Sequence, residues 1–482
     1  MDLLVSLFSQ IGLDTSSPLA SLWYILSHGG FIFIFWILFR GLADVWLDSR
    51  QNIFASKLEW IYLAIDVPKE NEQSIKAVEQ IFNQISGSMS GGNLIDKWIK
   101  GYFQPNFSFE IVSIEGYIQY IIRTPKIFRD LVEAAVYAQY PGAQLTRIED
   151  YTQDITPENF KEQGYDLWGA QFGFWNKNPY PIKTYPMFEH TAAKTNVDPL
   201  AAILEIFARM GPGEQAWFQI IAKPISESWK EESKKEVQRI IGAPAKKEEP
   251  KGIDKLLDTP SSFASKIGDT YFIKAGSDGD EKKQDMPSKM LYLSPGERQL
   301  VELIENKASK TGFETKIRYI YFAKGTKLMK TKAVSGLVGA LKQYALLDSN
   351  GFIPLPGTKT AVDYFRVKQR VYKLQQKIIK NYKARSSGSG VKGFIMNTEE
   401  LATIYHFPNK DILISAVSSV EAKKGEAPFS LPTTQPEDYD PIANARQKNQ
   451  STQNQNKITQ NSIEENNSQE NLDGAPPANL PI

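Results

Sequence analysis

Apolar residues recur with two periods after residue 54, and together they predict an α+β fold. LEWIYLAIDV (58–67) is rich in aromatic and β-branched residues and is stopped by Pro68, which predicts a strand. NEQSIKAVEQIFNQI (71–85) places Ile75, Val78, Phe82 and Ile85 on one helical face. FSFEIVSI (107–114) and YIQYIIRT (117–124) read as strands joined at Glu115-Gly116, a hairpin signal. KIFRDLVEAAVYAQY (126–140) reads as a helix, with Phe128, Leu131, Ala135 and Ala138 inward, and AQLTRIEDY (143–151) as a last strand. The order β-α-β-β-α-β predicts a ferredoxin-like unit.

The same alternation continues. FGFWNKNPYPIKTY (172–185) is extended and aromatic, and DPLAAILEIFARM (198–210) reads as a helix with Asp198 as N-cap and Pro199 at its first position. QAWFQIIAKP (215–224) reads as a buried strand and SWKEESKKEVQRIIG (228–242) as a charged helix. SPGERQLVELIENKASK (294–310) opens with a capping-box pattern, Ser294 and Glu297. A strand at 313–323 and a helix at 332–344 follow, which predicts a second ferredoxin-like unit.

A different pattern precedes residue 54. Thr15–Phe39 is 25 residues without Asp, Glu, Lys or Arg, ending in FIFIFWILF. As a helix, Leu19–Phe39 reaches about 32 Å against a hydrocarbon core of about 30 Å. It reads as a transmembrane helix, because no Lys or Arg precedes the run as a signal peptide needs. Arg40, Arg50 and Lys57 follow it, so the N-terminus lies outside and the rest in the cytoplasm. The chain thus divides into an external N-terminus (1–17), a span (18–40), a ferredoxin-like domain (54–152) and a second α+β domain (153–242 and 290–348). A flexible linker (243–289) interrupts the second domain, a basic segment (349–432) follows it, and a disordered polar tail (433–482) ends the chain. In that tail, 14 of the 35 residues from Pro441 to Ala475 are Asn or Gln.

Composition narrows the chemistry. Net charge is +1 and there are no cysteines, which excludes disulfides, thiol nucleophiles and zinc–thiolate sites. The three histidines, His28, His190 and His406, are far apart, so no HExxH pair exists. NGFIPLPGTKT (350–360) and SSGSGVKG (386–393) look like phosphate loops but have the wrong glycine spacing. No catalytic residue, metal or cofactor is therefore expected. NTEELATIYHFP (397–408) reads as scaffold: Asn397 and Glu400 form a capping box, and Leu401, Ile404 and Tyr405 share a buried face.

The strongest charge pattern is AVDYFRVKQRVYKLQQKIIKNYKAR (361–385), with eight basic residues and one acid. At helical spacing Arg366, Arg370, Lys373, Lys377 and Lys380 line one side, opposite Tyr364, Val367, Val371, Leu374, Ile378 and Tyr382. The basic side is either a solvated face or a contact for anionic lipid or nucleic-acid phosphate.

VEAAVYAQYPGAQL (132–145), IKTYPMFEH (182–190), DPLAAILEIFARMGPGEQAWFQIIAKP (198–224), residues 293–323, NTEELATIYHFP and SSVEAKKGEAPFSLP (418–432) occur in this order. Together they resemble the membrane-anchored module that precedes the motor in bacterial conjugative, type IV secretion-like DNA-transfer ATPases. The resemblance covers roughly residues 100 to 432, and the motor's phosphate-binding loop does not follow here. It implies a non-enzymatic scaffold in the bacterial cytoplasmic membrane, partnering a separate membrane ATPase or a second copy of itself. DNA or anionic-lipid binding through residues 361–385 is the alternative, and no small-molecule substrate is expected.

Overall fold

The computed structural model describes residues 31–68, 71–190, 195–196, 198–242, 293–325 and 328–409, with Leu26 and Gly29 before them. Helix α1 (Phe31–Lys57) leads into strand β1 (Trp60–Asp66), helix α2 (Ile75–Ser86) and the short helix α3 (Leu94–Trp98). The hairpin β2 (Phe107–Ile114) and β3 (Tyr117–Pro125), helix α4 (Arg129–Gln139) and β4 (Gln144–Ile148) follow. Next come β5 (Tyr165–Phe174), α5 (Ala201–Ala208), β6 (Glu214–Pro224), α6 (Lys230–Ile240) and α7 (Pro295–Ser309). The chain continues through β7 (Gly312–Lys324), α8 (Gly336–Lys342), β8 (Phe352–Pro354), α9 (Val367–Ala384), β9 (Phe394–Asn397) and α10 (Thr398–Ile404).

These nine strands lie in one antiparallel sheet, in the order β8-β5-β7-β6-β2-β3-β1-β4, with β9 on the start of β7; a separate two-residue pair joins Glu189–His190 to Thr195–Asn196. This corrects the expectation of two ferredoxin-like units. The free edge of the β2–β3 hairpin pairs with β6 along its whole length, from Phe107↔Ala222 to Ile114↔Gln215. Both strands are buried along nearly their whole length, and the charge inside β2, Glu110, is taken up by Gln219 of β6 and by Arg385. A single apolar core then runs under α2, α4, α5, α8 and α10, containing Phe109, Ile122, Phe172, Ile220, Tyr319 and Leu401 alike. Strand β5 begins at Tyr165, seven residues before the extended stretch read from the sequence.

The opposite face holds a smaller core of Val112, Ile121, Leu167, Trp217, Ile320 and Phe322, roofed by Ile378, Ile379 and Tyr382 of α9. At Gly169 a Cβ would stand 3.2 Å from Ile378, so the missing side chain lets α9 sit close on β5. Helix α1 joins the sheet at Trp60, the end where β2 starts and β6 finishes. The N-terminal part of α9 lies at the other end: Tyr372 stacks on Phe160, ahead of β5, and Gln375 donates to the Leu167 carbonyl.

The expected membrane span is also corrected. Among the described residues no helix is long and apolar enough to cross a membrane. Helix α1 carries nine apolar residues, Phe31–Phe39, and then meets Arg40, Asp44, Asp48 and Arg50. Residues 1–17, most of 18–30, the expected linker at 243–289 and the expected tail at 433–482 lie outside the described residues, as does His28.

A shared core predicts shared unfolding. Ile220→Ala on β6 should cost about 2–5 kcal/mol. Denaturant titration followed by hydrogen exchange should show β1 and β5 amides losing protection at one shifted midpoint; two separate transitions would refute the continuous core.

Candidate functional site

Across the α9 face, four strands place polar side chains directly opposite one another: Gln171, Arg318, Gln219 and Glu110. All four are buried. Arg318 donates to Gln219 Oε1 at 3.1 Å, and Gln219 donates to Glu110 Oε1 at 2.9 Å. The row also holds main chain from the far end of α9. Arg318 donates to the carbonyls of Asn381 (2.8 Å) and Ser389 (2.6 Å), and Gln171 exchanges two hydrogen bonds with the Val391 backbone. SSGSGVKG is therefore a docked loop whose carbonyls satisfy buried cations.

Arg385 closes this arrangement. It follows α9 in a left-handed conformation, φ 46°, which turns its guanidinium under the helix. Its nitrogens lie 2.8 and 3.2 Å from the Glu110 oxygens and 3.0 and 2.9 Å from those of Asp150. Tyr151 donates to Glu110 at 2.8 Å, and Asn106 donates to the Arg385 carbonyl at 2.7 Å. Burial pushes the Glu110 and Asp150 carboxyls up, but the Arg385 guanidinium outweighs it and holds both below the usual carboxylate range. Burial pulls Arg318 down to about 10, still protonated at neutral pH. The charged groups of this row are thus engaged within the chain, which makes it a clamp and leaves it poorly suited to a substrate.

The five basic residues singled out in the sequence all lie on the solvent side, and none is ion-paired among the described residues. Lys377 borders a cleft of about 210 Å³ beside Gln171, Thr358 and Asn381, while Arg370 donates to the Tyr364 carbonyl at 2.7 Å. The helix is shorter than 361–385. Thr360 is pinned to Gly169 by two hydrogen bonds, and the chain then turns through Phe365 and Arg366, both at positive φ. The helix begins only at Val367, so Tyr364 and Val367, placed on the apolar side by spacing, are exposed together with Phe365; Ile378 and Tyr382 of that side are buried, with Ile379 beside them.

NTEELATIYHFP forms the expected cap. Asn397 Oδ1 accepts from the Glu400 amide at 2.8 Å, and Glu400 Oε2 from the Asn397 amide at 3.0 Å. Glu400 also pairs with the fully buried Lys307 at 3.1 Å and accepts from the Ile182 amide. Tyr405 enters the core beside Phe109 and Tyr120. His406 has an acceptor at each ring nitrogen, the Ala402 carbonyl at 2.9 Å and Asp198 Oδ1 at 2.8 Å. Burial raises the Asp198 carboxyl, but His406 outweighs it and holds it low. Among the described residues no group of three or more His, Asp or Glu could hold a metal ion.

A broad exposed apolar surface lies on α1. Phe31, Ile32 and Ile34 to Phe39 are exposed by 38 to 70 %, on every side of the helix, and Leu42, Val45 and Trp46 extend the surface. The root of α1 is held to the body: Phe54 packs edge-on against Tyr102 and Phe103.

Residues 55–419 match the family described as a domain of unknown function, DUF8128. The chain belongs to the DUF8128 family. A comparison with curated proteins finds no match. The DUF8128 stretch takes in the whole sheet, the polar row and α10, and it begins just after Phe54, so the apolar part of α1 precedes it.

The clamp makes two predictions. Arg385→Met should cost about 3–5 kcal/mol, because the buried Glu110 and the partly buried Asp150 lose their cation. Carboxyls with depressed folded pKa values contribute stability above their ordinary values, which is lost as pH falls. Wild type should therefore weaken below about pH 4.5, whereas Arg385→Met, with the buried Glu110 carboxyl raised, should weaken as pH rises toward 7. Urea midpoints measured across this range should differ in the sign of their slope.

Proposed function

We propose that this DUF8128 protein is a non-catalytic scaffold held at a lipid bilayer by the apolar end of α1, presenting its sheet to an assembly partner. The observation that carries this reading is the apolar girth of Phe31–Phe39. A protein groove covers one side of a helix, whereas hydrocarbon covers all of it. Nine residues reach about 14 Å, roughly one leaflet of a hydrocarbon core of about 30 Å. Each large side chain gains ~1.5–3 kcal/mol on leaving water, so eight supply on the order of 10 kcal/mol. The internally bonded polar row supports a body built for rigidity. The resemblance to modules of DNA-transfer ATPases supports a partner of that kind, a membrane ATPase on another chain.

A second reading rests on the five exposed basic residues of α9 and its preceding turn. With Tyr364 and Phe365 beside them, they suit a polyanion such as DNA, whose phosphates take the cations and whose bases stack on the rings.

Vesicle flotation tests the first reading. Wild type should float with phosphatidylcholine–phosphatidylglycerol vesicles, and Phe35→Ser/Leu38→Ser/Leu42→Ser should stay behind with an unchanged urea midpoint. Failure of wild type to float would remove the lipid reading. For the second, changing Arg366, Arg370, Lys373, Lys377 and Lys380 to Gln should abolish low-salt DNA retention; unchanged retention would make this side a solvated face.

A further inference from the structure

We infer that helix α3 and the residue after it form a second lipid-contacting element, docked on the root of α1 and resting in the headgroup layer of the same anionic bilayer. This rests on the lipid reading of α1. The sequence LIDKWI (94–99) gives no strong periodicity, yet four of its six residues are large, apolar and exposed: Leu94 by 74 %, Ile95 by 58 %, Ile99 by 55 % and Trp98 by 42 %. The helix buries none of its residues. A five-residue helix without a buried face has little stability of its own. It is held by an Asn93–Asp96 capping box and by α1, through Trp46 Nε1 to the Trp98 carbonyl at 3.1 Å and Arg50 Nε to the Ile99 carbonyl at 2.8 Å. Gly101, at φ 73°, allows this approach, since a Cβ there would stand 2.2 Å from the Arg50 carbonyl oxygen. The chain thus braces exposed apolar residues against an already exposed apolar helix, the reverse of what burial from water favours.

The surroundings identify the occupant. Trp46 lies seven residues past Phe39, about 10 Å along the helix, and the indoles of Trp46 and Trp98 suit the level where hydrocarbon meets headgroups. Arg40, Arg50, Lys97 and Lys100 surround this level. Of the nearby acids, Asp44 is paired with Arg40 at 3.9 Å and Asp96 with Lys100 at 2.8 Å; Asp48 offsets one of the two remaining cations, Lys97 and Arg50, which leaves a net charge of +1 toward anionic headgroups. Arg50 also lies over the Trp46 ring at 5.2 Å. Cations beside exposed apolar residues match an anionic bilayer and would be poorly satisfied in an apolar protein groove.

The absence of cysteine makes the test direct, because single cysteines can be labelled without background. Full-length chains carrying Leu38→Cys, Ile95→Cys, Ile99→Cys or Leu347→Cys are labelled with the dye NBD. Phosphatidylcholine–phosphatidylglycerol vesicles are then added. The dye should brighten severalfold and shift to the blue at 38, 95 and 99, less so with phosphatidylcholine alone, and stay unchanged at 347, a fully solvated loop position on the body. A response at 38 without one at 95 and 99 would overturn the inference and leave the lipid reading of α1 intact. No response at any position would remove both. Brightening at 95 and 99 that tracks protein concentration without vesicles would assign the surface to a second copy of the chain and overturn the inference. A response at 347 equal to the others would mean general adsorption, with the same consequence.

Discussion

The Arg385 guanidinium, sealed between Glu110 and Asp150, fixes where α9 lies on the sheet. Two carboxylates from two sequence-distant segments converge on one cation, and burial would make each unfavourable alone. The row beginning at Glu110 crosses four strands and ends at Gln171, so the same network registers β2, β6, β7 and β5 against one another. The loop after α9 supplies carbonyls to that row. Helix, loop and sheet are consequently positioned by one connected set of hydrogen bonds, beneath which the aromatic packing of Trp217, Phe322 and Tyr382 can close.

Local elements were largely readable. The β2 stretch was read with the bounds the strand has, and the Ser294 and Asn397 caps form with the bonds their spacing implies. These features depend on neighbours three or four residues apart. Pairing between β2 and β6 depends on residues about a hundred positions apart and leaves no trace in either strand's own pattern. Each half does repeat one order of neighbours, β4-β1-β3-β2 and β8-β5-β7-β6, but the seam between them makes one sheet.

The exposed side of α9 was only half readable. The cations of α9 stood out because helical spacing collects them. The exposure of Tyr364 and Phe365 did not, because Thr360's attachment to β5 forces a turn where the apolar spacing implied helix. Glu110, Arg318 and Arg385 also went unnoticed as a group, since single charges in strands or at helix ends look like surface residues until the register brings them together. LIDKWI was missed for another reason: six residues are too few for any period to emerge.

One architectural feature has a mechanical meaning. The apolar helix leaves the sheet at Trp60, while the aromatic and basic turn before α9 sits beyond the start of β5, at the far end of the strands. An eleven-residue strand such as β6 is about 36 Å long. With nine strands hydrogen-bonded between them and a clamp fixing α9, the body cannot shorten or hinge along that direction. It works as a ruler: the basic turn is kept a few nanometres from the exposed apolar end of α1.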